Sequence, residues 1–169
     1  MEGQIRLAGP GDAAALLELQ TTLDRESLFM VLEPGERPTD PGDLRDRLAE
    51  QRRPGGDPSY TFISADTGEL AGYVSVTVLP YVRARRSGYV VMGVRSVRAG
   101  QGVGRALLDA AVEHARARDM RRLELNVMTH NRAALNLYLS SGFMVEGLRR
   151  RILWIDGGDI DEYYMGLLL

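Results

Sequence analysis

Val94-Arg95-Ser96-Val97-Arg98-Ala99-Gly100-Gln101-Gly102-Val103-Gly104-Arg105 joins two segments of different character. Before it, Gly88 to Val94 is a nearly continuous apolar run, as expected at the centre of a sheet. After it, Val103 to about Arg118 puts Leu107, Ala111 and His114 on one helical face, with Arg105 and Asp109 spaced as an i,i+4 pair. Glycines let a backbone approach a ligand closely, and a helix N-terminus presents unpaired N–H groups with partial positive charge. Together they predict an anion site suited to phosphate or pyrophosphate. A tight strand-to-helix turn without a ligand would use the same glycines, but it has no need of Arg95, Arg98 and Arg105 beside them.

Two nucleotide-binding patterns fail here. A P-loop requires lysine after its second glycine, and all 21 basic residues of this chain are arginine. A dinucleotide fingerprint beginning at Gly102 or Gly100 would need glycine where Leu107 or Arg105 stands. That fingerprint also belongs in an opening βαβ unit, whereas this turn follows the midpoint of the chain.

Working outward, Gln4 to Leu7 reads as a short strand. Gly11-Asp12 then starts a helix carrying Leu16, Leu17, Leu19 and Leu23, with Asp12 as its N-cap. Glu33-Pro34-Gly35 and Asp40-Pro41-Gly42 break residues 24–42, and a second helix is expected from Asp43 to Arg52. Tyr60 to Ala65 and Ala71 to Leu79 read as a hairpin joined through Asp66-Thr67-Gly68-Glu69. Leu123 to Val127 alternates as a strand, and Asn131 to Ser140 reads as a helix capped by Gly142. Phe143 to Ile155 and Ile160 to Leu169 are strands around the turn Asp156-Gly157-Gly158. The order predicts one domain over residues 1–169, an α/β (α+β) fold with a mixed, twisted sheet.

The composition narrows the function classes. The chain has 169 residues, with 44% hydrophobic and 26% charged, and no cysteine, which excludes disulfides, thiolate metal sites and a cysteine nucleophile. Two histidines are too few for most histidine-based metal sites, so no metal is expected. The net charge is −2, yet residues 1–80 carry 14 acidic groups against 7 arginines, and residues 81–153 carry 14 arginines against 5 acidic groups. A basic middle in an acidic protein points to a local anionic ligand rather than to nucleic acid. No apolar run approaches a membrane span, and MEGQIRLAGP lacks the features of a signal peptide, so a cytoplasmic location is expected. No Gly-x-Ser-x-Gly or His-Glu-x-x-His motif occurs, which argues against a serine hydrolase or a zincin.

Met92-Gly93-Val94 followed by Gly100-Gln101-Gly102-Val103-Gly104-Arg105-Ala106-Leu107-Leu108 resembles the acetyl-CoA motif of the GCN5-related N-acetyltransferases (GNAT family). Leu123-x-Leu-x-Val127 and Asn131-x-x-Ala134-x-x-x-Tyr138-x-x-x-Gly142-Phe143 resemble that family's second signature, at the expected separation. Within the family, Arg83 to Val94 and Glu33-Pro34-Gly35-Glu36-Arg37 are similar to bacterial enzymes that acetylate free amino acids and related small amines. The resemblance is strong after residue 86 and weak before residue 60. It departs at Ala99, where the family usually has arginine or glutamine; Arg98 or Arg105 is then expected to supply the side-chain contact to pyrophosphate.

The resemblance implies direct transfer of acetyl from acetyl-CoA to a primary amine, with no covalent enzyme intermediate. It places Met92, Gly93, Val94, Gly100, Gln101, Gly102, Val103, Gly104, Arg105, Asn131 and Tyr138 at the cofactor. Val94 would offer its backbone N–H to the thioester carbonyl, and Tyr138, a phenol of pKa about 10, would protonate the departing thiolate. No base is evident. Glu33, Glu36 and Glu124 are candidates to bind the acceptor, with Glu26 and His130 nearby, although each also reads as a solvated surface group. The expected acceptor is a free amino acid or similar small amine, without nucleic acid or membrane partners and with a homodimer left open. The alternatives are a protein N-terminal acetyltransferase and a catalytically silent CoA-binding or interaction domain.

Overall fold

In the computed structural model, which describes residues 4–65 and 68–169, seven strands form one sheet. They are β1 (Gln4–Leu7), β2 (Tyr60–Ala65), β3 (Leu70–Val78), β4 (Ser87–Val94), β5 (Arg122–Met128), β6 (Met144–Ile155) and β7 (Gly158–Leu168), in the order β1-β2-β3-β4-β5-β7-β6. The helices are α1 (Ala13–Glu26), α2 (Gly42–Arg52), α3 (Val103–Ala117) and α4 (Arg132–Ser140). This is the mixed sheet with four helices expected from the sequence. The expected joint Asp66-Thr67 between β2 and β3 lies outside the described residues.

β4 and β5 run parallel, while the other neighbouring pairs are antiparallel. A parallel pair needs a crossover, and α3 supplies it. The apolar stripe of α3 (Leu107, Leu108, Ala111, Ala115) is buried on one face of the sheet with Val74, Val90, Leu123, Leu125 and Met165. The opposite face receives α1 and α2 through Leu16, Leu19, Leu23, Leu44 and Leu48, against Ile63 and Tyr73. Two cores thus cover β2–β4 from both sides.

Local chemistry explains the boundaries. Asn131 Oδ1 accepts the Ala134 N–H at 3.2 Å and caps α4, while Gly142 (φ +92°) ends it in the left-handed region. Asp156 (φ +50°) and Gly157 (φ +80°) turn β6 into β7, the positive φ pair that a two-residue hairpin requires. Asp12 occupies the N-cap position of α1 as expected, but its side chain makes no capping bond to that helix. Its carboxylate takes a two-pronged bond from Arg6 (2.7 and 2.8 Å) and the Gly9 N–H (2.8 Å) instead, which fastens β1 to the helix start. The two histidines also separate: His114 packs against the rings of Tyr60 and Phe62, whereas His130 packs against Phe29 at the entry to α4.

Candidate active site

The β4–β5 ladder consists of Ser87↔Arg122, Gly88↔Leu123 and Tyr89↔Glu124, and then stops. β4 continues to Val94 paired only with β3, and β5 continues to Met128 paired only with β7, so a wedge opens between them. The polarity of its walls follows from register. The Arg95 N–H donates to the carbonyl of Ala71 in β3 at 2.9 Å, and alternate residues of a strand turn their N–H groups to opposite edges. Val94 and Met92 therefore direct theirs into the wedge. By the same reasoning Thr129 donates to Asp161 at 3.0 Å, so Asn126 and Met128 direct their main-chain groups into it from the β5 side.

At the open end of the wedge, beside Val94 and Met92, α3 begins. Gly100 and Gly102 have φ of +73° and +83° with open space where a side chain would be, so conformation rather than crowding demands glycine there. At Gly104 a Cβ would lie 3.4–3.7 Å from Leu137, Val94 and Met92, which is ordinary van der Waals contact, so neither conformation nor crowding demands glycine at that position. Gly102 is the N-cap, and Ala106 is the first residue to donate back to it, at 3.0 Å, which leaves the N–H groups of Val103, Gly104 and Arg105 ahead of the first helical bond. A positive helix end, a backbone without side chains over the turn and inward N–H groups on β4 fit an elongated acyl carrier with a pyrophosphate. The residues expected at the cofactor lie on β4, on the turn after it, at the start of α3 and on α4 with its cap.

Arg105 differs from its sequence reading. It does not pair with Asp109; Nη1 donates to Ser141 Oγ at 2.6 Å and Nη2 to Ser140 Oγ, both at the end of α4. The shape of the fold favours this, because α3 and α4 begin and end side by side. Ala99 is exposed on the turn, and Arg98 is part of the same turn.

Tyr138 comes from α4 and is 8% exposed, with its ring 5.8 Å from Phe143. Burial first, then the neighbouring Tyr89 and Tyr73 phenols, push its pKa well above the usual value. It therefore stays protonated at neutral pH, the state a proton donor needs. Tyr73 on β3 and Tyr89 on β4 lie on the α1 face of the sheet.

The α1 face forms the second wall. Residues 27–41 cross it and bring Phe29 to 5.1 Å from His130, at the entry to α4. Arg37 draws this segment down through Nε and Nη2 bonds of 2.6 and 2.8 Å to Asp24, which is 5% exposed. Gly93 is essential to the fit: a Cβ there would stand 2.6 Å from Leu23 and 3.1 Å from Met30. The carboxylates proposed from sequence are placed differently. Glu33 and Glu36 are exposed, and Glu36 accepts the Glu33 N–H at 2.9 Å, which closes their own turn. Glu124 does share the sheet face of the wedge, but it is bonded to Arg122 at 2.9 Å, which also holds Glu146. Glu26 accepts the Ser96 N–H at 2.8 Å and ties α1 to the turn after β4. Tyr89, whose phenol turns to the backbone of Asn126, and Glu162 on β7 were not singled out from sequence. The alternation of β4 and β7 was the available signal for both.

A family profile described as "Acetyltransferase (GNAT) family" matches residues 23–143, the span from the end of α1 through α4. The chain belongs to the GNAT family. A GNAT-family acetyltransferase from Streptococcus pneumoniae superimposes with a TM-score of 0.93 at 33% identity, covering 99% of this chain and all of that one. A ribosomal-protein-alanine N-acetyltransferase from Brucella melitensis gives 0.83 at 26% identity, covering 98% and 99%. By sequence, the chain is 37% identical over 92 residues to the N-alpha-acetyltransferase RimI of Mycobacterium tuberculosis, covering 54% of this chain and 56% of that protein. It is 36% identical over 103 residues to the mycothiol acetyltransferase of Clavibacter michiganensis, covering 60% of this chain but 31% of that protein. The chain therefore spans about half and about a third of these two relatives. An acetyltransferase structure from Salmonella typhimurium, described with its cofactor acetyl-CoA, shares the fold at a TM-score of 0.85 and 21% identity. Among the described residues, no helix of this GNAT protein is long and apolar enough to cross a membrane.

Proposed function

We propose that the protein transfers an acetyl group from acetyl-CoA to the primary amine of a small molecule. The observation that carries this reading is the wedge between β4 and β5, with the Val94 N–H turned into it and the glycine-lined start of α3 at its end. Bound acetyl-CoA supplies an activated acyl thioester. The first-turn N–H groups of α3 hold its pyrophosphate, and Asn131 fixes the start of the helix beside the carrier arm. The Val94 N–H is a fixed donor for negative charge on an acyl oxygen, worth most where water is excluded. Tyr138 holds a proton at its hydroxyl for a departing thiolate, and its burial keeps that proton in place.

The roof formed by residues 27–41 and the Phe29–His130 contact supports a small acceptor. A second reading, acetylation of a protein N-terminus, is favoured by the likeness to RimI and to the Brucella enzyme. Thiol release from acetyl-CoA, measured with free amines and with short peptides, tests both. Turnover of free amines at higher kcat/KM than peptides supports the first reading, and the reverse order supports the second. No thiol release with either, despite acetyl-CoA binding, would leave a silent binding domain.

A further inference from the structure

Away from the acetyl-CoA cleft, at the β1 edge of the sheet, a second cavity of about 260 Å³ opens where the C-terminal end of α3 meets the end of α2 and the strands β1 and β2. It lies on the far side of β3 from the wedge. The helix α3 reaches both places, with its first turn at the cleft and its other end, through His114 and Arg118, at the cavity. The buried lining is apolar and aromatic. Ala8 and Tyr60 are each 2% exposed. The Tyr60 hydroxyl donates to the Ala111 carbonyl at 2.8 Å, so only its ring is offered to a ligand. The His114 imidazole packs 4.5 Å from that ring.

The exposed lining is cationic. Arg52 in the last turn of α2 and Arg118 at the end of α3 both border the cavity, and among the described residues no carboxylate does. The acidic part of the chain makes this unexpected, since residues 1–80 carry 14 acidic groups against 7 arginines. An exposed arginine is ordinary by itself, but Arg118 is held. Its Nη1 donates to the Pro58 carbonyl at 2.9 Å, and its guanidinium carbon lies 5.9 Å over the Tyr60 ring. A guanidinium fixed between a carbonyl and an aromatic face is already oriented, so a ligand does not have to order it. Burial, and then the charge of Arg118, depress the pKa of His114. The imidazole is therefore uncharged at pH 7, and the positive field of Arg118 reaches the buried lining.

We propose that this cavity is a second ligand site, which takes a small carboxylate carried on a flat apolar body. The site goes beyond acetyl transfer and does not depend on it. The carboxylate faces Arg118 and Arg52, whose planar forks match its two oxygens. The flat body lies against the rings of Tyr60 and His114. The volume falls just below the range that holds drug-sized ligands, which limits the occupant to about one ring with its acid group. An uncharged ring gains nothing from the two arginines, and an inorganic anion gains nothing from the apolar lining.

The test uses benzoate, benzamide and inorganic phosphate as probes. Each is titrated into the protein at constant ionic strength, with and without saturating CoA, while the ring protons of His114 and His130 are followed by NMR. Benzoate should bind saturably with a Kd of about 1 mM, as expected for about nine non-hydrogen atoms. It should shift the His114 resonances and raise the His114 pKa, because an anion beside the imidazole offsets the charge of Arg118. His130, at the entry to α4, should not respond, and CoA should leave the affinity unchanged. Benzamide and phosphate should each bind at least tenfold more weakly. Arg118→Gln should weaken benzoate at least tenfold; Arg52→Gln, which removes no bond within the fold, should weaken it several-fold at an unchanged unfolding midpoint. No saturable shift at His114, benzamide or phosphate binding as tightly as benzoate, or an affinity unaltered in both variants would each overturn the proposal. Displacement of benzoate by CoA, or a response at His130 instead, would put the anion in the acetyl-CoA cleft and overturn it equally.

Discussion

Arg105 Nη1 donates to Ser141 Oγ at 2.6 Å and so couples the first turn of α3 to the end of α4. One of these helices presents the N-terminus proposed to hold the pyrophosphate and the other carries Tyr138. Ser141 Oγ donates in turn to the Leu137 carbonyl at 2.8 Å, so the guanidinium is braced through a side chain to the α4 backbone.

Arg105→Ala should accordingly lower stability by about 1 kcal/mol, the net value of a typical hydrogen bond. It should also raise the Kd for acetyl-CoA a few-fold, because both walls of the cleft loosen. Denaturant unfolding and a binding titration on the same preparations check this. A large rise in Kd at unchanged stability would mark Arg105 as a direct phosphate ligand instead.

The glycines separate strain from crowding. Gly102→Ala places a side chain at φ +83° in open space, so it should cost about 1–2 kcal/mol as backbone strain and distort the helix end. Gly93→Ala forces a Cβ to 2.6 Å from Leu23, so α1 must move away from β4. The first variant should weaken acetyl-CoA binding more than it lowers the unfolding midpoint, and the second should lower the midpoint by more than the first does.

Burial raises the pKa of Tyr73, Tyr89 and Tyr138 above the ordinary 10.0. Above about pH 10 the unfolded chain loses phenolic protons that the folded chain keeps, so stability should fall as pH rises. Below that pH the contribution is fully present. Tyr138→Phe should flatten this alkaline loss in denaturant unfolding, and at neutral pH it should lower kcat about 10²-fold or more, with the KM for acetyl-CoA little changed.

Asp24 and Arg37 form a buried pair that holds residues 27–41 over the cleft. Asp24→Asn leaves the guanidinium without its counter-charge and should cost about 3 kcal/mol in urea unfolding. Because that segment roofs the acceptor side, the acceptor KM should rise more than the KM for acetyl-CoA.

The elements nearest the cofactor were the most legible, because their residues obey local rules. A glycine turn after an apolar strand, Asn131 as a cap and Gly142 as a stop are each written within a few positions. The features that depend on what meets across the sheet were not legible. Asp24 and Arg37 are thirteen residues apart and join only when the segment between them folds back over α1. Arg105 has a plausible partner one turn away in Asp109, yet the tertiary approach of α4 outcompetes it. The divergence of β4 from β5 has no signature in either strand alone; it follows from β4 staying with β3 while β5 stays with β7. Glu33 and Glu36 show the same limit, since nothing local distinguishes a carboxylate that lines a cleft from one that closes its own turn.

The most direct test is thermal unfolding of the protein titrated with acetyl-CoA, with CoA, and with ATP as a control for generic polyanion binding. A wedge built for the thioester carrier predicts stabilisation of about 2.7 kcal/mol at a hundred times the Kd of acetyl-CoA, a similar shift with CoA, and little with ATP. Equal shifts with all three, or none with acetyl-CoA, would contradict the assignment of the β4–β5 cleft as an acetyl-CoA site.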